Sequence, residues 1–147
     1  AFFKIIGELN EYLKDIGIWD KGVAQPAMAS AVLNRQSELI LIFEKDNAIS
    51  RQFNKCNFKR GTLNDVWQIK RGFKDKKLKG HSAIFPEELI EKILLNFTKE
   101  NDVVYDPFMG TGTTGVVCKK LNRNFIGSEL ISEYTDLSND RISSVFI

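Results

Sequence analysis

Cysteine, histidine and proline are scarce in this sequence, and it has no long apolar run. Its 147 residues include two cysteines, one histidine and three prolines. Cys56 and Cys118 are too few for a metal cluster or a disulfide framework, so the sequence predicts no metal site and a reducing, cytoplasmic setting. The longest apolar run, Leu39 to Phe43, has five residues, whereas a membrane span requires about 18. We therefore expect no membrane partner.

Charged residues are abundant but unevenly distributed. The chain has 21 basic and 19 acidic residues, a net charge of +2. Residues 51–80 hold ten basic residues against Asp65 and Asp75, a local charge of +8, which leaves −6 for the other 117 residues. Such an excess fits either a polyanion-binding surface or a solvated loop, and charge pattern alone favours neither. The basic residues are Arg51, Lys55, Lys59, Arg60, Lys70, Arg71, Lys74, Lys76, Lys77 and Lys79.

The N-terminal half shows one helical pattern and three strand patterns. Apolar residues at helical spacing predict a helix over 2–14, and 16–19 is predicted to be a short strand. Residues 20–37 show no clear period and predict a loop. The run 38–44 is apolar between two glutamates, which is typical of a strand covered on both faces. The rest, up to residue 80, is predicted to be mostly irregular, with a strand at 66–69.

The C-terminal half predicts a βαβ unit. Pro86, followed by two glutamates, marks the start of a helix. A strand over 102–106, a glycine-rich turn, a helix over 113–121 and a strand over 125–129 follow, and Ser132 is expected to cap a last helix. Strands joined through a helix in this way are parallel. The sequence therefore predicts an α/β fold with a mainly parallel sheet.

The glycine-rich turn has the sequence DPFMGTGTTG over 106–115. Glycines between the end of a strand and the start of a helix let a ligand approach the backbone closely. The turn lacks the Lys-Ser/Thr ending of a nucleoside-triphosphate loop. Gly110, Gly112 and Gly115 match G-x-G-x-x-G, and Glu129 follows Gly110 by 19 residues, so a dinucleotide site fits the spacing. A turn that binds no ligand fits it as well.

Two features weigh against a dinucleotide. Asp106 directly precedes the turn, where its charge would repel a diphosphate, and the chain supplies one mononucleotide-binding half where a dinucleotide normally uses two. A carboxylate there suits a ligand with an ammonium group and no phosphate, such as the methionyl part of S-adenosylmethionine. Glu129 would accept hydrogen bonds from ribose hydroxyls of either ligand.

Three segments, DPFMGTGTT, NRNFIGSELISEY and NDRI, resemble in this order the cofactor-binding half of bacterial amino-group DNA methyltransferases, which act on adenine N6 or cytosine N4. HSAIFPEEL is similar to the family's sequence ahead of the cofactor strand. IWDKG and RQSELILIFEK are similar to the strands that follow its catalytic loop. The resemblance implies a single domain over 1–147, with 1–50 in the catalytic half, 51–80 as a variable target-recognition segment and 81–147 as the cofactor-binding half.

The resemblance implies a Rossmann-like, doubly wound fold, incomplete ahead of Ala1, that transfers a methyl group from S-adenosylmethionine to double-stranded DNA. The target base would be flipped out of the duplex. DNA binding then becomes the favoured interpretation of the basic residues in 51–80, most of which would contact phosphates. The implied cofactor contacts are His81, Ala83, Phe85, Asp106, Phe108, Gly110, Gly112, Thr113, Thr114 and Glu129.

One signature of the family is missing from these 147 residues. Its catalytic motif, an Asp, Asn or Ser followed by Pro-Pro and an aromatic residue, does not occur, because Pro26, Pro86 and Pro107 stand apart from one another. We therefore predict no catalytic residue in this chain and expect it to transfer no methyl group alone. The alternatives are a non-catalytic remnant, a subunit completed by a second chain or a missing N-terminal segment, and an NAD-binding half-domain.

The remaining conspicuous side chains are given structural roles. Trp19 and Trp67 lie in predicted strands and are expected in the core. Cys118, on the helix after the glycine-rich turn, is expected to be a small core residue. Tyr134 and Arg141 are expected to be packing and surface residues.

Overall fold

The computed structural model describes residues 2–27, 29–45, 52–71 and 84–146, and the chain forms two compact units, Ala1–Lys70 and Arg71–Ile147. Several residues with predicted roles lie outside the described ranges. They are the cofactor contacts His81 and Ala83 and the basic residues Arg51, Lys74, Lys76, Lys77 and Lys79.

The N-terminal unit is built on a three-stranded sheet. Helix α1 (Phe2–Glu8) is followed by strands β1 (Leu13–Gln25), β2 (Arg35–Phe43) and β3 (Val66–Gln68). The strand order is β2-β1-β3, in which β1 pairs antiparallel with β2 and parallel with β3.

Pairing with β2 corrects two predictions made from local periodicity. The first helix ends at Glu8 rather than at residue 14, because Leu13 pairs with Phe43 at the start of β1. The predicted loop over 20–37 is too long, because β1 continues to Gln25, whose partner is Arg35. In both places long-range strand pairing overrides the local preference.

The prediction that the second strand is covered on both faces is also wrong. In β2, residues 35–39 are exposed and residues 40–43 are only partly buried. Leu39, in the middle of the apolar run, is 49% exposed. Side chains alternate between the two faces of a strand, so five consecutive exposed residues mean that the first half of β2, at the edge of this sheet, is covered on neither face by the described part of the chain.

Two tryptophans form the buried centre of this unit, as predicted. Trp19 and Trp67 are partners in the parallel β1–β3 pair and are 3% and 2% exposed. Each indole donates its N–H to a backbone carbonyl, Trp19 to Ile69 at 2.7 Å and Trp67 to Asn64 at 2.5 Å. Because the one polar atom of each ring is satisfied, both rings can be buried without an energetic penalty for that atom.

Asp20 links the three strands through its carboxylate. It accepts N–H bonds from the Gln36 side chain in β2 at 2.9 Å, from the Gly22 backbone at 2.8 Å and from the Gln68 side chain in β3 at 3.4 Å. The bond from Gln36, followed by the one from Gly22, lowers the pKa of Asp20. The aspartate of the IWDKG segment therefore has a structural role in this sheet.

The C-terminal unit contains the predicted βαβ arrangement. Helix α2 (Glu87–Phe97) is followed by β4 (Val103–Asp106), α3 (Thr113–Lys120), β5 (Asn124–Gly127) and α4 (Ser132–Ser143). Strands β4 and β5 pair in parallel, as predicted, and their last residues are partners. Both strands therefore end at the same edge of the sheet.

The core of this unit joins α2, α3 and the two strands. It consists of Ile90, Leu94, Val117 and Cys118, with partly buried hydrophobic residues packed against them. Cys118 is fully buried, as predicted, and burial raises the pKa of its thiol to about 11. A thiol that is protonated and inaccessible acts as a small packing group. None of the helices in the described residues is long and apolar enough to cross a membrane.

The start of α4 differs from the prediction. Ser132 is the first residue of the helix and does not cap it, and the capping position belongs to Ile131. The Ile131 carbonyl accepts the Thr135 N–H at 3.1 Å, and its own N–H donates to the Glu129 carboxylate at 3.0 Å. Glu129 therefore satisfies a backbone donor just ahead of α4, where the serine was expected to act.

Candidate ligand-binding site

The glycine-rich turn connects β4 to α3 at the edge where both strands end. Gly110 and Gly112 have φ of +51° and +79°, in the left-handed region that favours glycine. The Gly112 N–H donates to the Met109 carbonyl at 2.8 Å, which closes the turn. The Met109 N–H donates to the Ser128 carbonyl just after β5 at 3.0 Å. The turn is thus attached to both strands.

Two carboxylates organise this turn from the strand ends. Asp106, the last residue of β4, accepts the Phe108 N–H at 3.0 Å and the Thr114 hydroxyl at 2.6 Å. Glu129, just after β5, accepts the Gly110 N–H at 3.0 Å. Both side chains also line the cavity over the turn. They therefore fix the backbone and contribute negative charge to the same site.

That cavity has a volume of about 560 Å³, within the range of roughly 300–1,000 Å³ typical of small-molecule sites. Phe85 and Phe108 contribute aromatic surface and are 50% and 86% exposed. Among the described residues that line it, the charged ones are the two carboxylates, and none is a lysine or an arginine. The lining residues are Ile84, Phe85, Ile90, Tyr105, Asp106, Phe108, Met109, Gly110, Thr111, Thr113, Thr114, Glu129 and Tyr134.

Most of the described residues predicted to contact a cofactor meet at this cavity. They are Phe85, Asp106, Phe108, Gly110, Thr113, Thr114 and Glu129. Gly112 lies in the same turn but is not part of the cavity wall. A Cβ at Gly112 would come within 2.2 Å of the Ser138 hydroxyl oxygen in α4. The structure therefore accounts for Gly112 by close packing against α4.

Two more glycines of this region make room for neighbouring side chains. A Cβ at Gly115 would lie 2.4 Å from the Ile142 side chain and 2.8 Å from the Phe125 ring. A Cβ at Gly127 would lie 2.4 Å from the Met109 sulfur. Gly112 and Gly115 are thus required by close packing against α4, whereas the space around Gly110 is open.

The two threonines at the start of α3 do not cap the helix through their side chains. The capping position is Gly112, and no side-chain capping bond is formed there. Thr114 instead donates its hydroxyl to Asp106, and Thr113 is 7% exposed on the cavity wall. Both threonines therefore belong to the site and not only to the helix end.

Two residues at or beside this cavity, Tyr134 and Arg141, are not among the cofactor contacts predicted from the sequence. Tyr134 lines the cavity, and Arg141 donates from Nη1 to the carbonyl and to the hydroxyl of Thr111, the latter at 3.0 Å. The position of Tyr134 could have been predicted from the sequence, since residues shortly after a parallel strand border the crevice at the strand ends. The contact of Arg141 could not have been predicted in this way, because its partner Thr111 lies 30 residues away along the chain.

Together these features define an α/β protein with a cavity of small-molecule size at the carboxyl edge of its parallel strands. Within the described ranges, no group of three His, Cys, Asp or Glu side chains is placed to hold a metal ion.

Comparison with known proteins assigns the family. Residues 2–140 match the model of the N6/N4 DNA methylases, and the chain belongs to this family. It is 36% identical to the type II methyltransferase M2.LlaDCHI of Lactococcus lactis subsp. cremoris, over 96% of this chain and 52% of that protein. It is 33% identical to M2.DpnII of Streptococcus pneumoniae, over 97% and 52%. The chain therefore spans about half the length of these curated relatives.

Solved structures agree with the fold. The chain matches the M1.HpyAVI–SAM complex with a TM-score of 0.72 and 30% identity, over 95% of this chain and 66% of that one. It matches the cytosine-N4-specific PvuII DNA methyltransferase with a TM-score of 0.75 over 95% and 54%, and at 21% identity this likeness shows the fold alone. The predicted α/β fold of the Rossmann-like methyltransferase type is confirmed.

Gly112→Ala should destabilise the protein more than Gly110→Ala. Both residues have positive φ, so both variants carry the cost of a left-handed alanine, about 1–2 kcal/mol. At Gly110 the nearest neighbour of an added Cβ is a carbonyl oxygen 3.9 Å away, whereas at Gly112 the Ser138 oxygen is 2.2 Å away. We expect Gly112→Ala to lose about 1–3 kcal/mol more in the free energy of unfolding, measured by urea denaturation. Equal losses would contradict the packing of α4 on the turn.

Proposed function

We propose that this chain forms the cofactor-binding part, and some of the DNA-binding surface, of an enzyme that methylates an exocyclic amino group of adenine (N6) or cytosine (N4) in DNA. S-adenosylmethionine is the proposed methyl donor. The observation that carries this proposal is the acidic cavity over the glycine-rich turn, with Asp106 and Glu129 in its wall. Membership of the DNA methylases and the type II methyltransferase names of the relatives support it.

The chemistry of the cavity fits this methyl donor. S-adenosylmethionine carries an ammonium group, a sulfonium cation, two ribose hydroxyls and an adenine ring. Carboxylates such as Asp106 and Glu129 attract the cations and accept hydrogen bonds from the ammonium and hydroxyl groups. The aromatic side chains of Phe85, Phe108 and Tyr134 supply apolar surface for the ring and the methionyl chain.

An NAD-binding half-domain fits the same site less well. A diphosphate is normally held by backbone N–H groups of the glycine-rich turn and the helix that follows it. Here the Phe108 N–H donates to Asp106 and the Gly110 N–H donates to Glu129. Two of the turn's donors therefore already serve carboxylates, whose negative charge opposes a phosphate.

In the proposed reaction, S-adenosylmethionine supplies a methyl group that is electrophilic because its sulfur is positively charged. Asp106 and Glu129 would orient the cofactor through its hydrogen-bond donors. Phe108, exposed beside the cavity, would pack near the methyl-donor end, as the family resemblance implies. The family motif that aims the target nitrogen is not among these 147 residues. We propose that a second chain or a further segment of the same protein supplies it.

The basic segment 51–80 is the proposed DNA contact. Its described cations are exposed, and none of them makes an ion pair within the described part of the chain. Two of these cations, Lys59 and Arg60, lie on a turn that is held by its own hydrogen bond, which the Thr62 hydroxyl donates to the Lys59 carbonyl at 2.8 Å. Exposed cations on an ordered turn suit contacts to phosphates. The described cations are Lys55, Lys59, Arg60, Lys70 and Arg71.

Asp106→Ala and Glu129→Ala should each weaken the binding of S-adenosylmethionine. Each variant loses a charge-assisted hydrogen bond to the ligand, at a cost of about 1.5–3 kcal/mol, or roughly 10- to 150-fold in Kd. Isothermal titration calorimetry measures the change. Glu91→Ala is the matched control, because Glu91 is exposed on α2 and does not line the cavity. Unchanged affinity in both cavity variants would contradict the site assignment.

The proposed reaction is tested with labelled S-adenosylmethionine and duplex DNA. We expect the 147-residue chain to transfer no label alone, and to transfer it when mixed with a fragment that carries the family's Pro-Pro motif, because that motif positions the target nitrogen. An Asp106→Ala chain mixed with the same fragment should give little transfer. Methylation by the chain alone would contradict the expectation that transfer requires the Pro-Pro motif. Cofactor binding without transfer in the mixture would favour the non-catalytic remnant.

Replacing Lys59 and Arg60 with glutamine should weaken DNA binding and flatten its dependence on salt. The binding constant falls as salt rises, and each lost phosphate contact makes the slope of log K against log salt less steep by about 0.9 in duplex DNA. Lys92→Gln with Lys99→Gln on the same chain removes an equal charge outside the segment and should leave the slope unchanged. Fluorescence anisotropy at several salt concentrations measures both. The same slope in the two double variants would identify the segment as a solvated face.

A further inference from the structure

The centre of the glycine-rich turn depends on a partner outside the turn. Thr111 lies between Gly110 and Gly112, which both have positive φ, and glycine backbone has many accessible conformations. Thr111 is nevertheless 6% exposed and lines the cavity. At a residue buried to this extent, a hydrogen-bond partner from the protein stabilises the carbonyl, because a buried carbonyl without one is unfavourable.

Arg141 is that partner. It lies near the end of α4 and donates from Nη1 to both the carbonyl and the hydroxyl of Thr111, the hydroxyl at 3.0 Å. Within the described residues its guanidinium forms no ion pair. The side chain is partly buried and directs its hydrogen bonds to a neutral backbone segment. This use of an arginine constrains the shape of that segment.

Ser138, one turn earlier on the same helix, reinforces the contact. It is fully buried, and its hydroxyl lies 3.7 Å from the Met109 sulfur. The 2.2 Å approach that a Cβ at Gly112 would make to its oxygen shows how closely the helix is packed on the turn. Helix α4 thus touches the turn at Met109, Thr111 and Gly112.

We infer that Arg141 is a positioning residue of the ligand site, which holds Thr111 so that the turn keeps the conformation that forms the cavity wall. The inference rests on the proposed function for the identity of the ligand. Without the arginine bonds, only a fraction of the molecules has the binding-competent turn, and the apparent Kd rises in inverse proportion to that fraction. Arg141 does not need to touch the ligand for this effect.

Arg123 provides a matched control within the same unit. Its guanidinium also donates to both the carbonyl and the hydroxyl of one threonine, Thr98, at 2.9 Å and 3.1 Å. It lies beyond the C-terminal end of α3, whereas the cavity is at the N-terminal end, and neither Arg123 nor Thr98 lines the cavity. Arg141 and Arg123 therefore make the same kind of hydrogen bond to a threonine, Arg141 near the N-terminal end of α3 and Arg123 near its C-terminal end.

The test compares Arg141→Gln with Arg123→Gln in the 147-residue chain. We expect Arg141→Gln to raise the Kd for S-adenosylmethionine about three- to tenfold, and Arg123→Gln to leave it unchanged while lowering the melting temperature at least as much. Arg141→Lys, which keeps one charged donor, should recover part of the affinity. Equal effects of the two glutamine variants on Kd, or none from Arg141→Gln, would overturn the inference.

A second measurement needs no ligand. Amide hydrogen exchange of Gly110 and Gly112 should become faster in Arg141→Gln and stay the same in Arg123→Gln. If the unsubstituted chain binds no S-adenosylmethionine, the proposed function fails, and this exchange still tests the role of Arg141. Should Arg141→Gln fail to fold, Arg141→Lys against Arg123→Lys gives the same comparison with an expected two- to threefold change in Kd. Unchanged exchange and Kd in the lysine variant would then overturn the inference.

Discussion

The hydrogen bonds that Asp106 and Glu129 accept from backbone N–H groups are the contacts on which the site depends. Each carboxylate stands where a parallel strand ends, and each bonds a different part of the glycine-rich turn, at Phe108 and at Gly110. Asp106 also bonds Thr114 at the start of α3. Because β4 and β5 are parallel neighbours, the two carboxylates come to the same edge. Two strands, a turn and a helix are therefore joined through three carboxylate oxygens, two of Asp106 and one of Glu129.

The same carboxylates give the site its charge. A turn that only had exposed N–H groups would attract phosphates, as in many nucleotide-binding folds. Here two of the donors are already used, and the cavity wall carries negative charge. Cationic and hydroxyl-bearing ligands are favoured as a result. One set of hydrogen bonds thus decides both the conformation of the turn and the kind of ligand that suits it.

Local sequence patterns predicted the C-terminal unit better than the N-terminal one. In the C-terminal unit, each element follows its neighbour closely along the chain, so periodicity, glycine and proline signals coincide with the true boundaries. In the N-terminal unit, β1 pairs with residues far along the chain, and this pairing ends α1 at Glu8 and extends β1 to Gln25. No local pattern reports such a partner. The burial of Trp19 and Trp67 was predictable because both lie on strands.

The sequence by itself determined the class of fold, the order of strand, turn and helix around 103–127, and the two carboxylates at the strand ends. These follow from residue type and spacing along a short stretch of chain. Only the tertiary structure decided which glycines face the ligand and which make room for α4, since Gly110 and Gly112 look alike in sequence. It also decided that Tyr134 lines the cavity and that Arg141 bonds Thr111. Their partners lie on a turn more than twenty residues away, and only packing brings them together.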